Sequence, residues 1–146
     1  MLPVDLALRV NDSIAAINLM DLRLRALKEG IDLDESKSQR PVIALFFGWD
    51  NDLMRCEVFK KLMQDTNHAT LLKSMRRDIV RCVCHGGHVR LLEEVIRLLG
   101  VKARDLDTLT PGCDGKLLCW FRSPPLWIAA DNGNVDQVGS MFFAAS

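Results

Sequence analysis

Between Asp52 and Gln64 the apolar residues come in pairs, Leu53-Met54, Val58-Phe59 and Leu62-Met63, with Glu57, Lys60 and Lys61 between them. That rhythm lines one side of a helix and predicts an amphipathic helix over 52–64. Val89 to Leu99 follows the same rule: Leu91, Leu92, Val95, Ile96, Leu98 and Leu99 are apolar, Arg90, Glu93, Glu94 and Arg97 are charged, and Gly100 supplies a C-terminal stop. Leu19 to Leu27 does so a third time, with Leu22, Leu24 and Leu27 among Arg23, Arg25 and Lys28 and with Gly30 beyond. Long period-two alternation is missing; Gly112 to Phe121, with Asp114-Gly115 inside it, reads as a loop or small hairpin. The chain therefore reads as all-α, its helices joined by short polar or glycine-bearing links.

Composition narrows the classes this pattern could serve. The chain has 146 residues, 49% of them hydrophobic and 26% charged, which suits one globular domain and excludes intrinsic disorder. Nineteen Lys and Arg balance nineteen Asp and Glu, so no global positive field exists to hold nucleic acid or an anionic membrane. No uncharged run, Pro41 to Trp49 included, exceeds half of the roughly 20 residues a spanning helix needs, and Asp5, Arg9 and Asp12 interrupt any signal-like start. Five cysteines, an odd set at 56, 82, 84, 113 and 119, read as reduced thiols and point to a cytoplasmic, reducing compartment. Charge is unevenly spread: residues 71–105 hold eight Lys and Arg against Asp78, Glu93, Glu94 and Asp105.

The joints between helices carry a repeat. Pro125-Leu126-Trp127-Ile128-Ala129-Ala130-Asp131-Asn132-Gly133-Asn134-Val135-Asp136-Gln137-Val138 resembles the ankyrin repeat, with its proline-led first helix, alanine pair, glycine turn and second apolar helix. Proline starts a helix where its missing N–H costs nothing, alanines let two helices approach, and glycine permits the tight turn. Trp127 stands in place of the family's histidine and Pro124 in place of its threonine. Val83-Cys84-His85-Gly86-Gly87-His88-Val89 aligns with the same frame. Two degenerate copies precede it, one using Ala15 and Ala16 as its small pair, the other running from Pro41 and Ala44–Phe47 into the helix at Asp52. Gly87 and Gly133 lie 46 apart against about 33 for the family, which calls for an inserted segment. The resemblance implies an ankyrin-like helical repeat solenoid, a single domain over 1–146 with repeats at 11–38, 39–72, 77–104 and 123–146 and an inserted loop at 104–122. The alternative architecture is an α-bundle of unrelated antiparallel helices. Phe142 and Phe143 end the last helix without a polar cap, so the expectation is a natural chain that continues past Ser146, or else a partner that covers them.

The same resemblance implies a protein-interaction module that binds through its concave face and loop tips, at positions matching Trp49, Arg76, Arg77, Arg81, His85, Trp120, Phe121, Arg122, Trp127, Asp131 and Asn132. Trp and Arg are common anchors at interfaces, and a pre-ordered stack loses little entropy on binding. The partner is another protein, its identity and the oligomeric state being left open, with no cofactor, metal or catalytic residue assigned. Three alternatives stand beside this reading. Leu2-Pro3-Val4-Asp5-Leu6 resembles the opening of an F-box, the motif that joins adaptors to ubiquitin ligases, although Arg9 falls where an apolar residue is expected; bacterial ankyrin-type effectors, delivered into the host cell, combine the two. Cys82, Cys84, His85 and His88 are of the types that bind zinc, yet one residue between the cysteines is fewer than zinc-finger spacings use. A Cys113-centred enzyme, with Asp114 and His85, is the third; no familiar nucleophile or phosphate-binding motif accompanies it.

Overall fold

Every element of the computed structural model is a helix among the residues it describes, which are 3–29, 44–46, 50–106 and 125–145. Trp49, Trp120, Phe121, Arg122, the 112–121 segment, Cys113 and most of the 104–122 insert lie outside these residues. Pro3 opens α1 (Pro3–Arg9) at the position where a helix tolerates it. α2 (Ser13–Lys28) begins well before the expected Leu19, because Asp12 accepts a hydrogen bond from the Ala15 N–H at 3.0 Å and so caps the helix there. Ala15 and Ala16 consequently sit in the first turn of a continuous helix that follows a turn, not in a helix that precedes one as the repeat frame expects. Buried Ala16, Met20 and Leu24 mark its core side.

Residues 44–46 are helical and buried, and Phe46 meets Phe59 edge to face at a centroid distance of 5.6 Å. Phe59 belongs to α3 (Asp52–Leu62), which matches the predicted amphipathic helix to within a turn. α4 (Thr66–Ser74) was not anticipated. Its apolar content is low, and Asp65 defines its start by accepting from the Asn67 and His68 N–H groups. α5 (Arg76–Gly86) contains β-branched Ile79, Val80 and Val83, poor helix formers that burial overrides: all three are fully enclosed. α6 (Val89–Leu99) follows the periodic reading, with Leu91, Leu92, Val95 and Leu99 inside and Gly100 at its C-cap. α7 (Ala103–Leu106) is a single turn, and α8 (Pro125–Asp131) and α9 (Val135–Ala145) close the described chain.

The helices pack in a fixed order. α2 lies on α1 and α3, α3 on α6, and α6 on α9; α5 lies on both α6 and α8, and α4 contacts α2, α5 and α6. One contiguous apolar core runs through them from Val4 to Met141.

The turns between paired helices share a conformation. Asn11, Asn51, Gly87 and Gly133 all have positive φ, at 59°, 56°, 75° and 70°. Asparagine tolerates this left-handed region better than other side chains, which is why a search for glycine locates the last two turns and passes over the first two. Gly87 has a second constraint: a Cβ there would stand 3.2 Å from Asn134 Oδ1.

Polar side chains tie each turn to its neighbour. Asn51 Nδ2 donates to the Leu8 carbonyl at 2.5 Å. Asp52 accepts from the Arg90 and Leu91 N–H groups at 3.1 and 3.0 Å, capping α6 from the adjacent pair. Asn134 Nδ2 donates to the Cys84 carbonyl at 2.8 Å, and buried Gln137 donates to the Val83 and His88 carbonyls at 2.9 Å each. Asp52→Ala removes an N-cap and is expected to destabilise the fold by about 1–2 kcal/mol. Urea unfolding should show a lower midpoint with an unchanged slope.

Candidate partner-binding face

α5 and α8 carry the described candidate residues, and their side chains fall into three different environments. At the start of α5, Arg76 and Arg77 are half-exposed, yet both are engaged. Their Nε atoms donate to Asp105 Oδ2 and Oδ1 at 3.2 and 3.0 Å, and the Lys102 N–H donates to Oδ2 at 2.9 Å. Asp105 is 0% exposed. Burial alone would raise its carboxyl pKa, but the Lys102 N–H and the two guanidiniums outweigh burial and hold it below the usual carboxylate range. Arg76 and Arg77, expected among the partner-binding positions, are thus already closed on an acid from α7.

Arg81 corrects the expectation outright. It is 1% exposed, its Nη1 donates to the Arg77 carbonyl at 3.1 Å, and burial lowers its pKa while the charge of Asp78 raises it. A guanidinium in that position is part of the interior and offers no surface to a partner. His85, one turn on, is half-buried, and burial lowers its pKa, so the imidazole is neutral at pH 7.

α8 presents the open surface. Pro125, Ile128 and Ala129 are buried, whereas Trp127, Ala130 and Asp131 are exposed, and their spacing of three and four places them on one side of the helix. Trp127 is 63% exposed. Asn132 is exposed as well, and its Nδ2 donates to the Ile128 carbonyl at 2.9 Å, so its amide finishes the helix end. The structure therefore sets Trp127 and Asp131 on one side of α8, with Asn132 just past its C-terminus, and sets Arg76 and Arg77 apart in the Asp105 cluster.

The Cys/His group behaves differently from a ligand set. Cys82 and Cys84 are free and fully buried, and burial raises both thiol pKa values. Cys82, Cys84, His85 and His88 do not bring three ligand atoms within 4.8 Å of one another, whereas Asp21, Asp65 and His68 do. In that second group His68 Nε2 lies 2.6 Å from Asp21 Oδ1, Arg25 pairs with the other Asp21 oxygen at 3.2 Å, and Asp65 caps α4. Each acid already has a partner in the fold, and the group fastens α4 to α2.

Comparison with family models, curated proteins and solved structures gives no match. No described helix is long and apolar enough to cross a membrane.

Proposed function

We propose that this chain is a protein-interaction module, an ankyrin-like stack of helix pairs whose exposed α8 face and turn tips engage another protein. The observation that carries the reading is Trp127, a large aromatic side chain held 63% exposed on a helix, with Asp131 one turn away on the same side. An aromatic ring on a rigid element brings contact area at little entropic cost, and a flanking carboxylate adds direction. Four left-handed turns and the polar links between them support the stacked arrangement. Free cysteines at 56, 82 and 84 accord with a reducing, cytoplasmic setting. The module acts by binding and assigns no catalytic group.

Trp127→Ala is expected to weaken capture of a bound protein by roughly tenfold or more, the effect of losing an interface anchor. Circular dichroism and thermal midpoint should stay at wild-type values, since the ring is outside the core. Unchanged binding by Trp127→Ala and Asp131→Ala together would overturn the assignment of this face.

A further inference from the structure

We infer that the two ends of the helix stack are complementary to each other, and that a second copy of this chain seats its α1–α2 face on the α8 face around Trp127, head to tail. The inference rests on the Trp127 face being a protein-binding surface and names its occupant.

Equivalent positions, counted from the left-handed residue of each turn, differ in exposure between the first pair, the last pair and the pairs between them. Five residues before it stand Leu6, Phe46, Cys82 and Ile128; the last three are buried, and Leu6 is 55% exposed. Eleven residues after it, Leu62 of α3 is buried, while Leu22 of α2 is 62% exposed. α3 packs on α2, and Leu22 of α2 stays open to solvent where its counterpart in α3 is buried. The other end shows the mirror situation. Six and three residues before the turn, Arg81 and Cys84 of α5, a helix on which α8 packs, are buried, whereas Trp127 and Ala130 of α8 are exposed. Each end therefore presents the half of an interface that the chain completes internally with its own neighbouring helices. Large exposed apolar side chains grouped in this way mark a binding surface.

Polar groups match as well. Asn51 donates to the carbonyl of Leu8, three residues before the preceding turn. Asn11 is the same residue type with nearly the same φ, 59° against 56°, and is exposed. Its counterpart at the far end is the Ala130 carbonyl, also three residues before a turn. The two terminal turns are built alike: Asp12 N–H bonds to the Ala7 carbonyl and Asn134 N–H to the Ala129 carbonyl, both at 2.9 Å. Two residues before those turns stand Arg9 and Asp131, both exposed and of opposite charge. Stacking the first pair of one copy on the last pair of another sets Leu6 against the Trp127 face, Asn11 at the Ala130 carbonyl and Arg9 beside Asp131. Such a contact uses different surfaces on the two copies, so it grows as an open chain and does not close as a two-fold dimer.

Sedimentation velocity over a concentration series tests this with three proteins: the intact chain, Leu6→Glu and Trp127→Glu. The intact chain is expected to gain mass with concentration past the dimer. Each variant alone is expected to remain monomeric, and an equimolar mixture of the two is expected to form a dimer of fixed mass, because each variant retains the end the other has lost. As a surface-only check, Asp131→Arg should weaken association by roughly tenfold, and pairing it with Arg9→Asp should restore it. An intact chain that stays monomeric, or a mixture that stays monomeric while the intact chain dimerises, overturns the proposal. If the intact chain is monomeric while Trp127→Glu still loses a different protein partner, head-to-tail association fails and the binding role of the α8 face stands. If Trp127→Glu changes neither, both fail.

Discussion

Arg55→Met is expected to lower the free energy of unfolding by about 3 kcal/mol, the largest single effect anticipated in this chain. Arg55 is 2% exposed, and its guanidinium organises the start of the second helix pair. Nη1 donates to the Ala44 and Leu45 carbonyls at 2.8 and 2.9 Å, and Nε donates to the Asp50 carbonyl at 2.7 Å. Nη2 adds the Asp50 carboxylate at 3.2 Å. Methionine preserves most of the aliphatic volume and removes every donor, leaving the two buried carbonyls without the partners that offset their loss of water. Arg55→Lys should recover part of the loss, since one ammonium cannot reproduce a planar fork that reaches several acceptors at once. Urea denaturation of the three proteins checks both statements. Equal midpoints for Arg and Met would mean that the carbonyls find other donors.

Asp105→Ala is expected to cost about 2 kcal/mol, less than Arg55→Met because Arg76 and Arg77 are partly solvated and regain water when the carboxylate goes. Its signature is the dependence on pH. The folded-state pKa of Asp105 is lowered, so its contribution to stability is complete above the unfolded-state value, about 3.9, and is lost as pH falls through the folded value. His85 acts at a higher pH. Its folded pKa is lowered by burial, so the stability it contributes is complete above about 6.5 and declines as pH falls below that. Thermal midpoints measured from neutral to acid pH should therefore fall in two stages. Asp105→Asn should flatten the lower stage, and His85→Gln the upper. A wild-type profile that keeps its lower stage in Asp105→Asn would remove the carboxylate from the account.

The helices around α3 and α6 were legible because an apolar stripe is a local signal, carried by residues three to five apart. The glycines at 87 and 133 were legible for the same reason. What escaped the reading depends on distance along the chain or on side chains that serve two purposes. Asp105 meets Arg76 and Arg77 across 29 and 28 positions, and no spacing rule connects them, so a charge count alone does not show the closed cluster. Arg81 looked like surface because it is arginine; only the packing of the folded chain puts it inside. Asn11 and Asn51 carried the turn conformation without being glycine. The helix at 66–74 announced itself through Asp65 as a cap and not through an apolar stripe. At the candidate face, Trp127, Asp131 and Asn132 were found by family resemblance and are brought together, whereas Leu6 and Leu22 seemed ordinary helix residues until their register partners proved to be buried.

The polar links between turns also set how the chain comes apart. Each reaches one neighbour and no further, so a break at one joint removes support from the adjoining pair while distant pairs keep their own contacts. Among the described residues the α5–α6 pair is linked on two sides, and the α1–α2 and α8–α9 pairs on one. Opening should therefore begin at the extremities and move inward, with amide hydrogens of α5 and α6 the last to exchange. If copies join end to end, the extremities become interior, and assembly would protect them by the same rule that leaves them exposed in a single chain.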